Sequence, residues 1–400
     1  MASEQLRVMV ARVGHERSPC RHYVGAMTSA MNTMTFDRVA APARPIIADD
    51  KVMLKAAAEA TRDLHEARPL VYWADLTLSA IVGYAVLVGA AMATSTGWMV
   101  ALGLVSMLAL YRAMSFIHEV SHMKHAQVPY FRAGWNVLVG VPMLIPSFMY
   151  EGVHNLHHAK TRYGTSEDPE YLPLALMKPW TLPVLILVSA LAPVGLLIRY
   201  AILSPLSLIV PSLRRAVVER YSALAINPHF RRRMPESEAK RLWDRLEVAC
   251  SVWAIALIAM VVTGIIPLRA FAIGMVVAAG VAVVNQLRTL VAHLWENDGE
   301  PMTVTAQYLD TVNVPPPAML PMLWAPVGLR YHALHHLLAS VPYHSYPEAH
   351  RRLAAAQRLG PEILGGVARR VLESFQRLGG CEMVASERAR QVLDARGGVH

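Results

Sequence analysis

The sequence predicts an all-α, polytopic membrane protein. It has about four transmembrane helices in two hairpins plus interfacial helices, capped at one membrane face by a histidine-rich layer. Three observations carry this. Apolar residues make up 54% of the 400 and charged residues 17%, below the ~25% charged usual in soluble domains. The apolar residues gather into runs of about twenty, the length that crosses a bilayer. Lysine and arginine fall mainly in the loops between runs and in both terminal regions, as positive-inside bias places them in cytoplasmic loops. That placement accounts for the net charge of +9 without nucleic acid as a partner. Cys20, Cys250 and Cys381 stand apart with no CxxC, which supports neither a disulfide framework nor a zinc ribbon.

Residues 1–65 read as a polar leader, disordered or amphipathic. No apolar h-region occurs in the first seventy residues, so no cleavable signal is expected. Asp49-Asp50 precedes Lys51 and an alanine-rich stretch, the signature of a capped helix on the membrane surface. The first span covers residues 71–93, with Asp75 at the interface. After the Thr94-Ser95-Thr96 turn, residues 97–116 form the second, with Arg112 at its returning end. Residues 133–149 are apolar except for Asn136 and Ser147, glycines and prolines. They are expected to dip into the membrane without crossing. Pro183, Pro193, Pro205 and Pro211 punctuate residues 182–210. Two cleaner spans follow, 248–266 and 270–290, joined by the Pro267-Leu268-Arg269 turn. Residues 66–345 thus form the membrane domain and residues 346–400 a tail with amphipathic helices over 346–359 and 361–378.

Histidines cluster at the ends of these runs. His118 and His122 are four apart and share one face of a helix. His154-x-x-His157-His158 and His332-x-x-His335-His336 each set two rings a turn apart with a third beside them. His293 lies just beyond the last span. His125, alone at the interface, is set aside. Nine imidazoles exceed a closed four-ligand site but suit two metals, and imidazole alone does not choose among Fe, Zn, Cu and Ni. For the clusters to meet, an even number of crossings must separate the second from the third. The proline-rich stretch is then expected to be interfacial, or to enter and leave on one side, rather than to cross once. Each ligating ring should give its other N–H to an acceptor. The candidates near the clusters are Glu119, Glu151, Asp168, Glu170, Glu296 and Asp310. Glu119 points away from its neighbouring ligand, so a supporting role is expected rather than that of a base. Arg288, costly inside a span, either reaches the interface or pairs with an acid at the site.

The boxes His118-Glu119-Val120-Ser121-His122, His154-Asn155-Leu156-His157-His158 and His332-Ala333-Leu334-His335-His336 resemble those of the membrane fatty acid desaturase superfamily. The resemblance runs from the first hairpin to the third box. It implies iron ligation by His118, His122, His154, His157, His158, His332, His335 and His336. His293 matches the family's additional histidine. It further implies a cytosol-facing non-haem diiron centre, two iron ions with O2 as co-substrate, and an apolar tunnel for an acyl chain or lipid. Acyl-CoA members carry an Asn four residues before that additional histidine. Thr289 stands there in this chain and Asn285 a turn earlier, so the surroundings of the metals are expected to differ.

The leading expectation is an oxygen-dependent acyl-chain desaturase in a bacterial inner membrane, its active site facing the cytoplasm. No haem motif or Gly-rich dinucleotide fingerprint occurs in the chain. The two electrons must therefore come from a separate donor, such as a ferredoxin, a cytochrome b5-like protein or a flavoprotein reductase. Related enzymes hydroxylate their substrates or decarboxylate fatty acids to terminal alkenes. Alkane hydroxylases carry a longer second box than this one. A histidine-rich metal transporter would place ionisable groups deep in several spans, whereas these spans hold few.

Overall fold

The computed structural model describes residues 47–358. The first 46 residues of the expected leader, the predicted helix over 361–378, Cys20 and Cys381 lie outside them. Among the described residues every regular element is helical, and the only β-pairings are two isolated bridges, His293–Thr311 and Asn313–Tyr331.

α1 (Lys51–Ala60) begins where the acidic pair predicts, with the Asp50 carboxylate accepting from Val52 N and Met53 N. Its apolar face does not rest on lipid. Met53 and Ala57 are buried in the same core as Tyr72, Phe116 and Tyr346. The end of the expected leader therefore packs onto the membrane domain.

α2 (Pro69–Met92) and α3 (Thr96–His122) form the first hairpin. Small residues bring them close. Ser106 Oγ donates to Gly83 O at 2.8 Å, and a Cβ on Gly83 would lie 2.6 Å from Leu110. Arg112 forks onto Asp75 at 2.7 and 2.5 Å, and Tyr343 donates to the same carboxylate at 2.9 Å. α3 runs unbroken through the first histidine box, which is thus an extension of the spanning helix.

The apolar segment after that box is re-entrant. It opens as the short helix Phe131–Trp135, widens into a π-turn at Asn136–Gly140, and closes in a 3-10 turn at Ser147–Met149. Its two polar interruptions close the loop on each other: Asn136 Oδ1 accepts from Ser147 N at 2.9 Å, and Asn136 Nδ2 donates to Ser147 Oγ at 3.0 Å. Trp135 Nε1 fixes it to Ala113 O on α3 at 2.9 Å. Polar backbone at this depth is tolerated because protein, rather than lipid, surrounds it.

The proline-rich stretch forms one continuous helix, α4 (Thr181–Ser207), with Pro193 inside it and a π-turn over Arg199–Leu203. With it, five helices among the described residues are long and apolar enough to cross a membrane. Its two ends meet segments that flank the histidine boxes. Just before α4, Ala175 N donates to Trp295 O, two residues past His293. Near its end the Tyr200 hydroxyl reaches Met149 Sδ at 3.2 Å, five residues before His154. Midway, Ser189 Oγ donates to Gln286 Oε1 at 3.2 Å, so that α4 packs along the last long helix. Its other apolar faces point outward, and the remaining four long helices are joined in two pairs by short turns.

α5 (Pro211–Tyr221) leads into α6 (Ser237–Val262) and α7 (Leu268–Ala292), the second hairpin. At the face opposite the histidines, Arg269 donates to Ala91 O and Ala93 O at 2.8 and 2.6 Å. It thereby ties the second hairpin to the first. α8 (Val304–Asp310) returns over the histidine layer. The following loop exposes Met319, Leu320, Met322 and Leu323. Arg330 clamps it through Val314 O and Ala318 O, both at 2.8 Å. α9 (His332–Leu337) carries the third box, and α10 (Tyr346–Arg358) packs against α1.

Candidate metal centre

Four separate pieces of backbone present the nine histidines. The end of α3 supplies His118 and His122, and one helical turn, His154–His157, supplies the second box with His158 at its cap. His293 is the first extended residue after α7, and its backbone bridges Thr311. α9 supplies His332, His335 and His336.

They converge as two groups. The available ring nitrogens of His118, His122, His154 and His335 lie within 4.8 Å of one another, as do those of His157, His293, His332 and His336. The ninth ring, His158, reaches the first group: its Nε2 is 3.1 Å from His154 Nε2 and 3.0 Å from His335 Nε2. In the second group His332 Nε2 stands 3.0 Å from His293 Nε2 and 3.3 Å from His336 Nε2. Metal–imidazole bonds of about 2.0–2.1 Å set neighbouring ligand nitrogens roughly 3–4 Å apart. Buried nitrogens that converge on one point at that spacing fit a cation between them.

The electrostatics agree. Burial, with the neighbouring imidazoles adding to it, holds His154, His158, His293, His332, His335 and His336 well below the usual histidine range. Neutral rings are what a metal requires. Several inward atoms find no protein partner, among them His118 Nδ1 and Nε2 and His122 Nε2. Buried polar atoms are rarely left so, and a bound metal would satisfy the inward-facing ones. His157 is the exception: burial would lower it, but Asp168 opposes this and the net shift is upward.

Acceptors behind the rings fix their orientation. Asp168, fully buried, faces His157 Nδ1 with both oxygens at 3.0 Å. Glu170 Oε1 faces His154 Nδ1 at 2.7 Å. Asp310 stands behind His293 through Tyr163, whose hydroxyl is 3.0 Å from His293 Nδ1 and 2.7 Å from Asp310 Oδ2. Burial raises both Glu170 and Asp310 to about 7. Glu296 lies near enough to contribute at Asp310.

Three candidates, Glu119, Glu151 and Asn285, lie elsewhere. Glu119 does not bond a ligand ring. It accepts from the Tyr72 hydroxyl and, at 3.1 Å, from Tyr343 N, tying the first box to α2 and to the chain beyond the third. Asn285 Oδ1 faces Arg288 Nη2 at 3.5 Å. Arg288 itself follows neither expected course, since it is buried without an acid partner among the described residues. Glu151 pairs with Arg132 and His125. Sequence reasoning missed the hydroxyl and amide partners. Tyr346 meets His335 Nδ1 at 2.9 Å, Tyr150 meets His154 Nδ1 at 2.9 Å, and Gln307 lies 3.4 Å from His336 Nδ1. Only the closeness of Tyr150 and Tyr163 to the second box could have flagged any of them.

The fatty acid desaturase family matches residues 95–362. A ceramide hydroxylase of Caulobacter vibrioides (strain NA1000 / CB15N) is 49% identical over 317 residues, which are 79% of this chain and 90% of that protein.

Proposed function

The chain belongs to the fatty acid desaturase family, and from that premise we propose that it is an oxygen-dependent hydroxylase of ceramide-type lipids. The observation that carries this reading is the 49% identity to a ceramide hydroxylase over nearly all of that protein's length. The two histidine groups support it by supplying a place for the chemistry. His118, His122, His154 and His335, with His158, would hold one iron, and His157, His293, His332 and His336 the other. Iron bound there would supply the redox capacity to activate O2 and break an unactivated C–H bond.

The chain's own residues orient and insulate. Asp168, Glu170 and the Tyr163–Asp310 pair hold the rings in the tautomer that turns Nε2 inward. Burial of the rings excludes water from the reacting space. In the overall balance, one oxygen atom enters the lipid as a hydroxyl and the other leaves as water. Two electrons and two protons come from outside the chain. A separate redox protein on the cytoplasmic side is the source we assign, in keeping with the placement of Lys and Arg on the loops of that side. We place the protein in a bacterial inner membrane, with residues 66–345 as the catalytic domain.

Desaturation of the same lipid is the second reading, since the three-box pattern accommodates both outcomes. Expression in a host that makes ceramide, followed by mass spectrometry of its lipids, separates them. A gain of one oxygen is expected. Loss of two hydrogens alone would establish the desaturase, and an unchanged ceramide pool with another lipid oxidised would refute the substrate. A His157→Ala variant should lose iron and activity together.

A further inference from the structure

Arg288 differs from the other buried arginines. Arg199 donates to Tyr221 O, Ser204, Ser222 and Glu247 at 2.7–3.1 Å. Arg330 holds two backbone carbonyls at 2.8 Å, and Arg232 holds Ser222 O and Glu151 O. Arg288 is 7% exposed, its Nε has no protein partner, and the rest of its guanidinium meets only two neutral side chains, Asn285 Oδ1 at 3.5 Å and the Tyr111 hydroxyl. A guanidinium carries five donors and no acceptor, and a buried cation whose donors are not all met, and whose partners are all neutral, is costly.

The position of that unpartnered Nε is informative. It lies on α7 five residues before His293, about 7.5 Å along the helix axis and toward the membrane interior. Beside it is the Tyr111 hydroxyl, which donates to Trp324 O at 3.0 Å. Its charge is felt at His293 and His332 and at Tyr150 and Glu170, so it borders the histidine layer. A cation bordering a site built for two metal cations would be repelled by them unless an electron-rich atom lies between. An unsubstituted hydrocarbon chain offers no such atom. A ceramide-type lipid does, through its amide carbonyl and its hydroxyl oxygens.

We infer that Arg288 binds an acceptor oxygen of the lipid's polar backbone, an amide carbonyl or a hydroxyl, and so sets which carbon is oxidised. This rests on the proposed function. The geometry places a polar group below the histidine layer, so the oxidised carbon lies within a few bonds of that group rather than far along the chain.

The test uses the full chain, iron-loaded and held in lipid nanodiscs without oxygen, so that binding is read without turnover. Affinities are compared for ceramide, for an analogue with the amide carbonyl replaced by methylene, and for one lacking the backbone hydroxyl. Arg288→Met should weaken ceramide binding by about 10- to 100-fold and leave unchanged the analogue that lacks the contacted oxygen. Arg288→Lys should recover part of the loss, and iron content should stay at the wild-type value. Equal weakening for all three lipids, or none for ceramide, overturns the inference. If Arg288→Met does not fold, Arg288→Lys and Arg288→Gln carry the same comparison. If the wild-type protein ignores ceramide, the substrate assignment fails separately. The comparison is then run on the lipid it does oxidise, and a substrate with no oxygen near the oxidised carbon overturns the role of Arg288.

Discussion

Replacing Asp168 with asparagine isolates the support behind one ligand. The carboxylate is fully buried and every contact is an accepted hydrogen bond: His157 Nδ1 at 3.0 Å to both oxygens, Gly164 N at 2.8 Å to Oδ2, and Glu170 N at 2.8 Å to Oδ1. Asparagine keeps the shape but turns one acceptor into a donor. Whichever way its amide is flipped, the NH2 meets a backbone N–H head-on, and one of the two is orphaned. An orphaned buried donor costs about 1–3 kcal/mol, and exchange of a charged for a neutral acceptor adds a similar amount. The metal-free chain should therefore lose roughly 2–6 kcal/mol of stability. Removing the carboxylate behind a ligating histidine typically lowers metal affinity about 10- to 100-fold, or about 1.4–2.8 kcal/mol. The readout is iron per chain after dialysis against a graded chelator series. Metal in the group that contains His157 should leave at lower chelator concentration than in wild type, while the other group is less affected. An Asp168→Asn protein that keeps both metals at the wild-type chelator midpoint would refute the reasoning.

Other expectations follow from packing and charge. A Cβ on Gly134 would sit 2.2 Å from the Trp73 ring. Gly134→Ala should therefore force that ring aside and lower the melting temperature, with a cost of about 1–3 kcal/mol; an unchanged melt would mean the helix shifts freely. Asn136→Leu strands Ser147 N and Oγ inside the re-entrant loop, for about 1–3 kcal/mol, read by thermal melting with iron content as the control. The pH dependence of the metal-free protein has a definite sign. The six histidines held below their ordinary value of 6.5 bind fewer protons folded than unfolded. Their contribution is present above that value and lost as the pH falls below it. His157, shifted upward, acts in the opposite sense. So do Glu170 and Asp310, raised to about 7, whose protonated forms favour the folded state at low pH. With six groups against three, the melting temperature should fall from pH about 8 to about 5; a rise on acidification would contradict the balance.

The long apolar helices and the converging histidine rings were legible because each rests on a local rule. Twenty apolar residues specify a span, and His-x-x-His-His on one turn places its rings together. The expected sidedness of α4 and of the re-entrant loop came from parity alone, since no local signal gives it. The supporting hydroxyls were not legible. Tyr346 reaches His335 and Tyr343 reaches Asp75 through long-range packing, and a tyrosine at a membrane interface reads equally well as an anchor. Arg288 was visible as an anomaly, but the two anticipated resolutions were the membrane interface and an acid at the site, and neither named the neutral Asn285 and Tyr111 that border it. α1 looked like a surface helix because its alanines carry little hydrophobic signal, yet Met53 and Ala57 were enough to dock it.

α4 is the long helix that protein covers least among the described residues. Only 6% of its apolar window is buried, and Leu187, Val188, Leu191 and Val194 face outward. The surrounding lipid therefore does for α4 what neighbouring helices do for the first hairpin. Exchange of the bilayer for a short-chain detergent should loosen α4 before the first hairpin, and hydrogen exchange of its backbone amides would register the order.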